Sequence, residues 1–357
     1  MEYQEFKDAL ISAVEERVRK IDPQVQVVEQ QAEKNNSVSM EALSVRGSSN
    51  LSPMVYPEKL YEDYKGGNSI EEIASFVTGA FEAGPSERFG PEQLRDWEEI
   101  KDRVVLQVVG KENNKELMQN IPCREADDML LTYRVLIDVT DTGTASMQVT
   151  NMLQQMYGVT EETLYQTAMK NSPELLPVEF KSMSTVMMEF GGEEFINPVS
   201  LEEMLREENE GQGMYILTNT FRANGASAIF YPEVMDKIAA AFDQDMIVLP
   251  SSIHECIVLP RDIQMDFDIE EYKAMVTEIN ETQVLPEERL TDQVYIWDKE
   301  AKQLMIGDNW QAQKLEKEPR GKRSLKDRLN EKKAEVAKTS TLPEGKDEKK
   351  RMPGMEI

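Results

Sequence analysis

The sequence predicts an α+β protein in which antiparallel hairpins pack with helices. Two observations predict it. Short apolar runs of strand character occur as adjacent pairs around polar turns. Capped segments with apolar residues at three- and four-residue spacing lie before and after those pairs. A doubly wound parallel sheet would instead need strand and helix to alternate along the chain.

The elements follow in order. Phe6, Leu10, Val14, Val18 and Ile21 recur at helical spacing, so the chain opens with an amphipathic helix. Val25 to Gln31 and Val38 to Val45 read as two strands, with Lys34-Asn35-Asn36-Ser37 as the polar turn between them. Pro53 and Pro57 punctuate the entry to a short helix carrying Leu60 and Tyr61. Ser69 with Glu72 is a capping box ahead of Ile70, Ile73, Val77 and Phe81. Ala83 to Pro91 reads as a loop, and a helix then runs through Trp97 and Ile100. Val104 to Val109 is almost continuously apolar, as a strand covered on both faces would be. Leu131 to Val139 and Thr144 to Val149 form a hairpin around Asp141-Thr142-Gly143.

Helices follow at Asn151 to Tyr157 and, capped by Thr160, at Glu161 to Asn171. Pro173 to Pro177 breaks that pattern, and Ser200 with Glu203 caps the next helix. Met214 to Thr218 and Ser227 to Tyr231 read as paired strands around Asn224-Gly225. Pro232 opens a helix with Val234, Ile238 and Phe242 on one face. Met246 to Leu249 and Ile253 to Leu259 are short apolar strands. A capped helix from Asp268 turns Tyr272, Val276 and Ile279 inward, and Val294 to Asp298 with Gln303 to Ile306 makes a last hairpin. The globular region is expected over residues 1–310, with a sub-boundary near 84–91 or 173–177. Residues 311–357 read as a charged, mostly disordered tail with a short helix near Ser324 to Val336.

Charge narrows the function classes. The 357 residues carry 40 Lys+Arg and 67 Asp+Glu, a net charge of −27. The tail holds 14 basic and 9 acidic residues, so it stands at +5 and the rest at −32. Such a body repels nucleic-acid phosphates and anionic lipid. No apolar run is long enough to span a membrane, and the first residues lack the apolar core of a signal peptide. Two cysteines, Cys123 and Cys256, make no disulfide framework, which points to a reducing, cytoplasmic setting. Methionine is abundant, at 21 residues, and its flexible thioether suits core filling and adaptable binding surfaces alike.

Motif chemistry is sparse. His254 is the one histidine, so multi-histidine metal cages are excluded and neither metal nor cofactor is expected. There is no phosphate-binding P-loop, no dinucleotide Gly-x-Gly-x-x-Gly after a strand, and no Gly-x-Ser-x-Gly nucleophile elbow. The most distinctive run is Leu249-Pro250-Ser251-Ser252-Ile253-His254-Glu255-Cys256. Read as a strand, it puts Ser252, His254 and Cys256 on one face, but neighbours at i and i+2 stand roughly 6.6 Å apart. A nucleophile and its base need about 3 Å. The plainer reading is a loop-to-strand junction whose serines satisfy turn backbone and whose histidine makes a structural hydrogen bond. His254, Ser251, Ser252 and Glu255 nonetheless form the best candidate catalytic group in the chain.

These residues carry a resemblance. Lys34-Asn35-Asn36, Ser52-Pro53 with Tyr56, Asn219, Gly225-Ala226, Tyr231-Pro232-Glu233 and above all Leu249 to Glu255 resemble a bacterial domain-of-unknown-function family, the one numbered five-six-eight-eight. The match runs from Phe6 to Gly307 and leaves out the tail. It implies a cytoplasmic bacterial protein of gut anaerobes, with genes often carried on mobile conjugative elements. It brings no activity, cofactor or catalytic residue. The sequence therefore points first to a soluble, non-enzymatic protein that acts through protein partners. A hydrolase or transferase using His254 and an acidic DNA mimic are the alternatives.

Overall fold

The computed structural model describes residues 1–46, 54–83, 92–140, 143–191, 200–207, 213–261 and 268–317. They divide into a unit over Met1–Gly307 and a second over Asp308–Ile357. The chain begins with α1 (Tyr3–Val18), entered through a capping box in which Glu2 and Glu5 serve each other's backbone. β1 (Gln26–Glu33) and β2 (Ser39–Arg46) pair antiparallel around Asn35–Ser37, and β3 (Met54–Val55) adds a short edge to β2. α2 (Pro57–Lys65) starts at a proline, whose fixed φ suits a helix's first turn. α3 (Ile70–Ala83) starts at the Ser69–Glu72 box, seen as reciprocal bonds of 2.8 and 3.2 Å. Phe6, Leu10, Val14, Val18, Leu43, Val45, Leu60, Ile73 and Val77 close these pieces into a core of their own.

The larger part of this unit follows. α4 (Trp97–Ile100) is a single turn capped by Asp96. β4 (Val104–Gly110) is buried at every position, as its unbroken apolar run predicts. α5 (Leu117–Asn120) and β5 (Cys123–Ala126) lead into the long β6 (Met129–Thr140), which folds back as β7 (Gly143–Gln148). β6 is the spine of this sheet: β4 pairs along one edge, and β5 and β7 share the other. α6 (Asn151–Tyr157) and α7 (Glu161–Leu175) come next, capped by Thr150 and Thr160.

An antiparallel six-stranded sheet completes the architecture. It is made of β8 (Val178–Ser182), β9 (Tyr215–Asn219), β10 (Met246–Leu249), β11 (Cys256–Pro260), β12 (Tyr295–Asp298) and β13 (Gln303–Ile306), in the order β13-β12-β10-β11-β9-β8. Each neighbouring pair along this order is antiparallel. Between its strands lie α8 (Met183–Phe190), α9 (Leu201–Glu207), α10 (Val234–Phe242) and α11 (Ile269–Thr282). The two larger sheets share one core, with Leu106, Tyr133, Leu164, Phe180, Leu217, Val248 and Tyr295 among its buried members. α12 (Gly307–Lys317) ends the described chain.

The α+β class with antiparallel sheet is therefore what the chain adopts. Four local readings change. Ser227–Tyr231 is not a strand: residues 225–230 form tight 3-10 turns. Both edges of β9 are already taken by β8 and β11, so no edge remains for it. β3 and β5, which have little apolar alternation, are added strands, and so is β8, whose alternating Val178, Phe180 and intervening polar residues directly follow Pro177. The helix of α7 runs through Pro173 to Leu175. Burial of Leu164, Ala168 and Ser172 against the core holds that last turn although a proline donor is missing. Finally, β11 begins at Cys256 rather than Ile253, because residues 250–255 leave the sheet to pair elsewhere. The expected turn at Asp141-Thr142, the Ser52-Pro53 match, and the Ser324–Val336 helix fall outside the described residues.

Candidate functional site

The run after β10 turns out of its sheet at Pro250 and pairs with a second loop. Ser252 and Arg289 form an antiparallel bridge. On either side of it, the Leu290 N–H donates to the Ser251 carbonyl at 2.9 Å and the Ile253 N–H to the Glu288 carbonyl at 2.8 Å. This brings Glu288 beside His254, a neighbour that sequence spacing gives no sign of.

Ser252 is buried, and its Oγ accepts the backbone N–H of His254 at 3.0 Å. The His254 carbonyl accepts the Thr218 hydroxyl at 2.7 Å, and the Ile253 carbonyl accepts the Ala226 N–H at 3.2 Å. The imidazole is half-buried. Its Nδ1 accepts the Asn224 N–H at 3.3 Å, while Nε2 lies 3.8 Å from Glu288 Oε1. An accepting Nδ1 carries no proton, so the neutral ring is assigned the Nε2–H tautomer, with that N–H toward the carboxylate. Neither seryl hydroxyl bonds to the ring among the described residues.

The loop that meets His254 is built for close approach. Asn219, fully buried, caps it by accepting the Phe221 and Ala223 N–H groups and donating to the Ala223 carbonyl. Asn224 then takes φ of 53°, a left-handed conformation that asparagine tolerates. Its side chain accepts Gln107 Nε2 at 2.8 Å, tying the loop to β4. A Cβ on Gly225 would lie 2.5 Å from the His254 carbonyl and 2.7 Å from the Asn219 nitrogen. Only glycine lets these backbones touch.

Glu255 is half-buried. Burial raises its carboxyl above the ordinary range and Glu288 adds to the rise, while His254 and Arg222 oppose it. Cys256 is fully buried with its thiol toward the Ala226 carbonyl, and burial holds it well above the usual thiol range, where it is a poor nucleophile. Cys123 sits on β5, in the other sheet, and burial raises its thiol too. Among the described residues no three of His, Cys, Asp or Glu converge as metal ligands.

The same site is clamped by the turn of the first hairpin. Asn36 takes φ of 62° and donates Nδ2 to the carbonyls of Pro286 and Arg289 at 2.8 and 2.7 Å. Asn35 donates to Glu287 and Arg289 carbonyls. Buried Asn114 accepts the Asn36 N–H at 3.0 Å and donates to both asparagine side chains and to Gly110. Asn35, Asn36 and residues 251–253 thus meet one loop, residues 286–290, and the turn at 224–226 joins them through Ile253 and His254. Their polar groups are spent largely on one another's backbone.

Two helical faces stand apart from this clasp. On α6, Met152 and Met156 are a turn apart and exposed, Met152 at 66%. On α8, Met187 is 68% exposed with Met188 beside it, and exposed Met214 adjoins the start of that helix through the Met183 N–H to Met214 carbonyl bond of 2.8 Å. Behind α8, Lys181, Glu179, Glu189 and Arg222 form a four-charge network. No helix among the described residues is long and apolar enough to cross a membrane.

A family model matches residues 3–299, and the chain belongs to that family, described as a family of unknown function (DUF5688). No curated protein and no solved structure matches the chain.

Proposed function

We propose that this member of the family is a non-catalytic protein that works by binding a protein partner through its exposed methionine faces. The observation that carries the reading is the exposure of Met152 and Met156 on α6 and of Met187 and Met188 on α8. Long thioether side chains left in water lose the burial that core methionines gain, and they re-pack readily against varied apolar surfaces. The wiring of His254 supports the same reading. A base that acts through Nε2 needs its proton on Nδ1, and there the Asn224 N–H already points at the ring.

The test is to express the full chain with photo-activatable methionine in its native host and map the cross-links. Adducts to another protein at α6 or α8 are the expected outcome. Adducts confined to the chain itself would count against it.

The hydrolase or transferase reading rests on one observation, the raised Glu255 carboxyl beside a half-exposed His254 and Glu288. It predicts turnover of an ester or amide panel that disappears in His254→Gln.

A further inference from the structure

The α6 face borders a groove with a charge pattern of its own. Glu92, Arg95, Asp96, Trp97, Glu98, Met156 and Tyr157 line an open depression of about 500 Å³. Half-buried Trp97 and the edge of buried Tyr157 give its otherwise polar lining an aromatic side: the two rings pack at 5.9 Å between centroids, and the Tyr157 hydroxyl is anchored to the Leu94 carbonyl at 2.9 Å. Met156 forms one wall, and Met152 continues that wall one helical turn away. Among the described residues, three exposed carboxylates, Glu92, Asp96 and Glu98, stand around it against the Arg95 guanidinium and the Lys101 ammonium that pairs with Glu98. Asp96 and Glu98 are held in place, the first by capping α4 and the second by an ion pair with Lys101.

Resting on the partner-binding reading above, we propose that this groove is the docking site, and that its occupant is a basic amphipathic helix of another protein. Charge complementarity selects the occupant. Trp97 and the exposed α6 methionines take the apolar stripe of a helix, the mode in which anchors at i, i+3 and i+4 enter a groove. The acidic rim takes the Lys or Arg residues that flank such a stripe, and it repels nucleic acid and anionic lipid. Flexible methionine walls fit side chains of several shapes.

The probe is a short synthetic Lys/Leu peptide, patterned to place its leucines on one helical face. A control has the same composition with the leucines scattered. Both are titrated into the full-length protein, with tryptophan emission and calorimetry as readouts. The patterned peptide is expected to bind at least roughly tenfold tighter than the control, and Met156→Lys to weaken it by a similar factor. Met156 is exposed, so the fold tolerates the change, and an unaltered melting curve checks this. Met275→Lys, an exposed position on α11 outside both methionine faces, is expected to leave binding unchanged. Equal binding of the two peptides, binding indifferent to Met156→Lys, or no binding would overturn the proposal. So would self-association that Met156→Lys abolishes, since the groove would then take a second copy of this chain. Partner cross-links confined to α8 would overturn the groove alone and leave the partner reading standing.

Discussion

Gly225 shows how much one missing atom can decide. The turn after β9 presses against residues 253–254, and the space for a Cβ is occupied by Thr218 Oγ1, the His254 carbonyl and the Asn219 nitrogen. Two of those three are backbone and cannot swing away. Gly225→Ala is therefore expected to cost at least about 3 kcal/mol, at the upper end of overpacking effects. Chemical denaturation of the variant measures it. His254 is the counterpart, a residue whose type suggests catalysis but whose ring and backbone join strand to loop. In the sequence, Asn224-Gly225 is legible as a turn. That it would carry the His254 contact is not, since the two are thirty residues apart.

At the scale of elements, α1 is held to the first hairpin by a nearly buried cation. Lys7 Nζ lies 2.8 Å from Glu29 on β1 and also pairs with Glu41 on β2, which accepts a bond from the Tyr3 hydroxyl at 2.6 Å. The hydrogen bond from Lys7, then that from Tyr3, holds the Glu41 carboxyl below its ordinary range. The bonds to Glu29 and Glu41 hold the Lys7 ammonium above its own. Lys7→Met keeps the apolar stem and removes the charge, and is expected to cost about 2 kcal/mol at neutral pH. The sign of the pH dependence follows from Glu41. A carboxyl lowered by folding adds stability above its unfolded value, near 4.3, and loses it as pH falls through the folded value. The difference between parent and Lys7→Met should therefore shrink below about pH 4, which thermal melts across that range would show. Helix α1 is legible from the spacing of Phe6, Leu10, Val14 and Val18, although Ile21, read as part of the same stripe, lies beyond its end and is exposed. The Lys7 clasp is not legible, because nothing in a helical pattern says which charges a neighbouring hairpin will present.

Among the described residues of the unit over Met1–Gly307, two larger hydrophobic cores are joined by polar bonds. One closes around buried residues from Phe6 to Val77, and the other around buried residues from Leu94 onward. Asn35, Asn36 and Asn114 knit the two, with Asn114 at the centre of four hydrogen bonds. Asn114→Ala leaves the Asn36 N–H without its acceptor and is expected to cost about 2 kcal/mol. Hydrogen exchange should then speed up at least roughly tenfold in residues 32–40 while β4 keeps its protection. Unchanged exchange at the hairpin tip would show that the asparagines do not fasten it. We further propose that the boundary expected near residues 84–91 separates these two cores.

The sequence by itself determined the α+β class, most helices and their caps, both outer hairpins and the buried strand β4. These are local matters: apolar period, capping chemistry and turn residues act over a few positions. It also singled out residues 249–255, first as a loop-to-strand junction with a structural histidine and second as the best candidate catalytic group. Only the tertiary structure decided what that run does. Strand edges already occupied turned Ser227–Tyr231 into 3-10 turns. Pairing with residues 288–290 drew Ser251–Ile253 out of the sheet. The Asn224 N–H and Glu288 reached His254 from thirty and thirty-four positions away. The physical reason is that a hydrogen bond has no sequence range. Its partner is chosen by which backbones the packed core brings within 3 Å, and the free energy of that choice belongs to the whole fold.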